Sequence, residues 1–153
     1  MIRVSILIVA FLLTVYLLEG CIPICGLAGS YPCAETWELK INETELKTII
    51  SEIKKENPDL SPPINDSAFI SHQQSYWYHI YFYFSDTKEI VYTWTRPGFD
   101  SESTTFALIG FSEDGDKKIY KEINSDYNWN SNAKHINKFK DKILNLIQKK
   151  MKR

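Results

Sequence analysis

The chain has 153 residues, a formal net charge of −1, three cysteines and three histidines. So even a charge balance argues against a nucleic-acid binder, which usually presents a basic domain. The length suits a single domain with a real core, and no cofactor motif or phosphate loop stands in it.

Met1-Ile2-Arg3 leads into an apolar run over Val4 to Leu18, and the cysteines Cys21, Cys25 and Cys33 crowd behind it. A membrane-crossing helix needs about 20 apolar residues. This run is shorter and stops at Glu19-Gly20, as the apolar core of a signal peptide does. The stretch Leu18-Glu19-Gly20-Cys21 resembles the lipobox of bacterial lipoproteins, with Leu18 at −3, the small Gly20 at −1 and Cys21 at +1. Glu19 departs from the small or uncharged residue usual at −2, and the resemblance covers residues 1–21 only.

The resemblance implies a signal peptide over 1–20 and a lipidated mature N-terminus at Cys21, anchored to the cell-envelope membrane on its periplasmic or outer face. Two or more acyl chains give stable attachment, at about 0.8 kcal/mol per buried methylene. An odd cysteine in an exported chain needs a reason. Lipidation of Cys21 supplies one and leaves Cys25 and Cys33 as a candidate disulfide. Closing that small loop would stabilise by about 2–3 kcal/mol. The alternatives are an uncleaved N-terminal anchor and a plain secreted protein. A three-cysteine metal site is disfavoured, because no histidine or further cysteine lies at ligand spacing.

Residues 21–36 are rich in Gly, Pro and small residues and read as a lipidated tether to a single domain over 37–153. A helix follows: Asn42 is an N-cap, Glu45 completes a capping-box pair, and Leu46, Ile49, Ile50 and Ile53 share one face. Lys54-Lys55 and Asn57-Pro58 end it. Strands are predicted over 67–72, 76–84, 89–96, 103–112 and 117–123, with a hairpin turn at Asp114-Gly115. A last helix begins near Ser131 with an apolar stripe of Ala133, Ile136, Phe139, Ile143, Leu144 and Ile147. Its lysine-rich other side reads as a solvated face, or as a surface for anionic headgroups. The order predicts an α+β fold: an antiparallel meander of about four to five strands, with an N-terminal and a C-terminal helix packed on one face.

The strand over 76–84 is aromatic on both sides. Tyr76, Tyr78, Ile80, Phe82 and Phe84 form the better core face, leaving Trp77, His79, Tyr81 and Tyr83 on the other. A two-residue turn at Asp86-Thr87 sets Tyr83 opposite Ile90, Tyr81 opposite Tyr92 and His79 opposite Trp94. A turn one residue longer would send Tyr92 and Trp94 to the core instead. Trp77, His79, Tyr81, Tyr83, Tyr92 and Trp94 are therefore the candidate partner-binding residues, if the face is open. The competing expectation is that the segment around 27–37, or the loop 124–129, covers it as ordinary core.

Enzyme signatures are thin: of His72, His79 and His135 only His79 has aromatic company in a strand, and no nucleophile elbow or metal-ligating helix pair is present. Glu113, Asp114 and Asp116 bracket a turn, and Asp100 and Glu102 read as salt-bridge partners of Arg96 in a loop. The expectation is a membrane-anchored, non-enzymatic binding module with a protein or glycan partner, no cofactor, no metal and no nucleic acid. The alternatives are a structural, accessory or inhibitor-type lipoprotein without a small ligand and, more remotely, a small hydrolase using His79.

Overall fold

The computed structural model describes residues 30–63, 72–74, 76–100, 102–112 and 120–152. The leader, Cys21, Cys25, most of the tether, residues 67–71 and the Asp114-Gly115 turn lie outside the described residues. Among the described residues, no helix is long and apolar enough to cross a membrane.

Six antiparallel strands form one sheet: β1 (Glu35–Leu39), β2 (His72–Gln74), β3 (Trp77–Phe84), β4 (Glu89–Pro97), β5 (Thr104–Ser112) and β6 (Tyr120–Glu122). Their order is β1-β5-β4-β3-β2, and β6 pairs with the far half of β5. Helix α1 (Glu43–Glu56) joins β1 to a 3-10 turn at Pro58–Leu60. The C-terminal helix comprises α2 (Trp129–Phe139), a π-helical turn (Lys140–Leu144) and α3 (Asn145–Met151). The expected α+β class, an antiparallel sheet with two helical segments, is what the chain adopts.

Helix α1 starts where its cap chemistry says it should. The Asn42 side chain accepts from the Glu45 N–H at 2.9 Å, and Leu46, Ile49, Ile50 and Ile53 are buried. The C-terminal helix buries Ile136, Phe139, Ile143, Leu144 and Ile147 against the same core. Ala133, expected in that stripe, is exposed near the start of a helix that begins at Trp129. The lysines of its far side are also less free than a solvated face implies. Lys138 and Lys142 pair with Asp86 at 3.5 and 3.0 Å, and Lys150 with Glu52 and Glu56 at 3.1 and 2.7 Å. They staple the helix to the β3–β4 hairpin and to α1.

The β3–β4 register is the one expected, with His79 opposite Trp94, Tyr81 opposite Tyr92 and Tyr83 opposite Ile90. The connection differs in form: the Thr87 N–H closes on the Phe84 carbonyl at 3.2 Å, and Lys88 takes a left-handed φ of 56°. Ile80, Phe82 and Phe84 join the helix-side core, as do Val91, Phe106, Leu108 and Phe111. Strict alternation would send Phe111 to the opposite face from Phe106 and Leu108. A register shift opposite Tyr92/Thr93 inserts an extra residue into β5, so Phe111 returns to the core and Ile109 points outward with Trp94. Gly110 completes this bulge, because a Cβ there would meet the Lys121 carbonyl oxygen at 2.1 Å.

The buried threonines of the sheet carry their own partners. Thr93 Oγ1 donates to the Ile80 carbonyl at 2.7 Å, and Thr104 Oγ1 to that of Ile41 at 2.7 Å. Their hydroxyls therefore cost little in the core.

Candidate functional site

The six residues singled out on β3 and β4 do converge on the face opposite the helices, but its centre is closed. His79, Tyr81 and Trp94 keep only 5%, 7% and 4% of their surface exposed; Trp77, Tyr83 and Tyr92 are partly buried. Part of the cover is Tyr31, from the segment preceding β1. Its ring lies 5.6 Å from Trp77, 5.8 Å from His79 and 6.3 Å from Trp94. Its hydroxyl is 3.3 Å from His79 Nε2. At the other end Tyr120 stacks on Tyr92 at 5.1 Å, and Tyr92 meets Tyr81 edge-on at 5.4 Å. Packing of this kind adds about 0.5–1.5 kcal/mol per ring pair beyond area burial.

The segment carrying Tyr31 is itself held to the domain. Asn124, in the left-handed region at φ 61°, donates from Nδ2 to the Cys33 carbonyl at 3.0 Å and pairs with Asn132 at 2.6 and 2.8 Å. Cys33 is disulfide-bonded, and the chain's other two cysteines, Cys21 and Cys25, lie outside the described residues.

Burial, with neighbouring charges and phenols, keeps Tyr31, Tyr81 and Tyr120 protonated. Burial, with the charge of Glu122, pushes the Tyr31 phenol up; burial, with the neighbouring phenols Tyr92 and Tyr31, does the same to Tyr81. Tyr120 is raised further by burial and by donating to Glu122 at 2.7 Å. These phenols therefore act as hydrogen-bond donors rather than as bases. His79 meets a phenol here. Among the described residues, no group of three or more His, Cys, Asp or Glu side chains is placed to hold a metal ion.

Outward along the same face the packing gives way to an open cleft of about 600 Å³ between β1, the end of β4 and the β4–β5 loop. Arg96 lies in it with its guanidinium 5.6 Å from the Tyr76 ring and 5.5 Å from the Trp94 ring. Phe99 is fully exposed at the loop tip, and Tyr76 is 53% exposed. The loop closes tightly through the Gly98 N–H, which donates to the Ser103 carbonyl at 2.9 Å. The expected salt bridges from Arg96 to Asp100 and Glu102 do not form. Asp100 Oδ1 instead accepts the Glu102 backbone N–H at 3.1 Å, fixing the loop, and Glu38 accepts from Thr105 Oγ1 at 2.6 Å. Among the described residues, no carboxylate pairs with Arg96 and the neighbouring buried Trp94 Nε1–H has no acceptor.

The Arg96 cleft was within reach of the alternation rule, since Arg96 follows Ile90, Tyr92 and Trp94 on one face of β4. Its pairing with Tyr76 was not, because Tyr76 sits at a turn where alternation stops. A second polar cluster has no local signature at all. Glu89, 8% exposed, accepts from Thr87 Oγ1 and from Lys138 Nζ at 3.0 Å and lies 3.4 Å from His135 Nε2. His135 Nδ1 is 2.7 Å from the Ser131 carbonyl, and its ring packs on Tyr127 and Phe111 at 4.3 and 4.9 Å. That cluster locks the hairpin to α2.

Set against known proteins, the chain matches no protein-family model, and no curated protein or solved structure is a match either.

Proposed function

We propose that this is a lipid-anchored protein of the cell envelope that acts as a non-enzymatic binding module, and that its contact surface is the Tyr76–Arg96–Phe99 cleft. The observation that carries this reading is an arginine set between two aromatic rings, with no described carboxylate partner, beside a fully exposed phenylalanine. The planar guanidinium is built for bidentate recognition of a carboxylate. Covering Phe99 would add about 1.5–3 kcal/mol to binding. The partner, protein or glycan, is therefore one that offers an acidic group beside an apolar one. The buried centre of the aromatic face serves as the rigid floor that fixes Arg96. The lipobox-like Leu18-Glu19-Gly20-Cys21 supports the anchor.

Two measurements test the two halves. Mass spectrometry of the native protein should find an acylated N-terminal Cys21, and Cys21→Ala should move the protein to the soluble fraction; an intact Met1 in the membrane would refute the lipid anchor in favour of an uncleaved one. Arg96→Ala and Phe99→Ala should each weaken capture of the partner, from envelope extract or on a glycan array, by about tenfold or more. Their thermal midpoints should stay within a few degrees of wild type. Undiminished capture by both variants would place the contact surface elsewhere.

A further inference from the structure

Lys54 differs from three other partly buried lysines of the helices. Lys47, Lys138 and Lys150 each pair with a carboxylate, at 3.1, 3.0 and 2.7 Å. Lys54, in the last turn of α1, crosses instead to the sheet. Its Nζ donates to the Tyr81 carbonyl at 2.6 Å and lies 4.9 Å from the centre of the Phe82 ring. A cavity of about 200 Å³ opens beside it, walled by Ile50, Ile80 and Tyr78, with Lys47 and Ser51 completing its lining. We propose that Lys54 is a covalent capture site for small aldehydes, which enter this cavity and form an imine on its amine.

The chemistry follows from the surroundings. Burial disfavours the charged ammonium, and it lowers the Lys54 pKa to about 8. Lysines become nucleophiles in this way, by desolvation in an apolar pocket. The neutral amine keeps one N–H on the Tyr81 carbonyl and presents its lone pair to the aldehyde carbon. The carbon–nitrogen bond forms as the carbonyl electron pair moves to oxygen. Transfer of the amine protons to that oxygen then releases one water and leaves the C=N bond. When the imine takes up a proton, its N–H returns to the Tyr81 carbonyl. The apolar walls of Ile50 and Ile80 disfavour the return of water.

The test is reductive trapping with propanal and cyanoborohydride on the folded full-length protein at pH 7, with every lysine mapped by mass spectrometry. Lys54 should be alkylated about tenfold or more faster than the exposed Lys55 and Lys88, and its rate should level off near pH 8 while theirs still climbs. Ser51→Trp, at an exposed position on the cavity lining, should slow Lys54 alone. In urea the preference should vanish. Labelling of Lys54 at or below the rate of Lys55, indifference to Ser51→Trp, or a preference that survives urea would each overturn the proposal.

Discussion

Phe139→Ala is expected to destabilise the domain by about 3–5 kcal/mol, the range for deleting a fully buried aromatic side chain. Phe139 has no exposed surface and is where the C-terminal helix meets three strands at once. Its ring stacks on Trp37 of β1 at 5.4 Å and an interplanar angle of 22°, and meets Phe106 of β5 at 5.8 Å and Phe82 of β3 at 6.5 Å. The π-helical turn begins at the next residue. Set against a total of about 5–15 kcal/mol, the loss is a large share of what holds the domain together. Chemical denaturation should give a lower midpoint with an unchanged slope, and heating should show a midpoint lower by roughly 10–20 °C. Phe139→Leu should recover more than half the loss, and the exposed Ala133→Ser should cost almost nothing. A Phe139→Ala cost below about 1 kcal/mol would show that the helix does not pack as described.

The contrast between Phe139 and Trp37 also measures what the chain reveals when read alone. Phe139 announces itself through helical spacing with Ile136 and Ile143, a pattern complete within one segment. Helix α1 is legible for the same reason, since Asn42 and Glu45 cap it and its four buried residues repeat at helical intervals. The β3–β4 register is legible because one face of β3 must be buried, and a slip would expose it. Trp37 is different: β1 follows a Gly- and Pro-rich stretch, and its strand character comes from pairing Glu35 with Leu108 and Leu39 with Thr104. Nothing local encodes a partner so far along the chain. The bulge that returns Phe111 to the core is hidden likewise, because alternation carries no mark of an inserted residue.

The candidate site divides along the same line. Alternation brings six aromatic and imidazole side chains onto one face, and they are there. Whether that face is open depends on Tyr31, whose position rests on the Asn124 contacts to Cys33 and on the loop before α2. The open chemistry therefore moves outward to the Arg96 cleft, whose lining includes β1 but not Tyr31. A face that is aromatic on both sides signals a second packing layer as readily as a binding surface, and solvent meets only its rim.

Glu89→Ala is expected to cost about 3 kcal/mol at pH 7, the low end for removing one member of a buried charge cluster. The carboxylate holds Lys138 at 3.0 Å and lies 3.4 Å from His135 Nε2, so its loss removes the group that joins the hairpin to two side chains of α2. Lys138 keeps Asp86 at 3.5 Å, which holds the cost below the top of that range. The same cluster sets an acid limit on stability. Burial alone would raise the Glu89 pKa, but the hydrogen bonds from Thr87 and Lys138, with the charges of Lys138 and His135, outweigh it and hold it below the usual carboxylate value. A carboxylate depressed in the folded state contributes its stability above its unfolded pKa of about 4.3, and loses it as the pH falls through the folded value. Asp86, lowered by its bond to Lys142 and by the charges of Lys138 and Lys142, acts in the same direction. Unfolding free energies measured from pH 7 down to pH 2 should therefore fall steeply below about pH 4.5 in the wild type. Glu89→Gln keeps the side-chain shape but cannot titrate, so it should start lower at pH 7 and decline less steeply, leaving Asp86 to set most of the residual slope. Parallel curves for the two proteins would mean that Glu89 is not held as a depressed carboxylate, and that the hairpin is locked to α2 by packing alone.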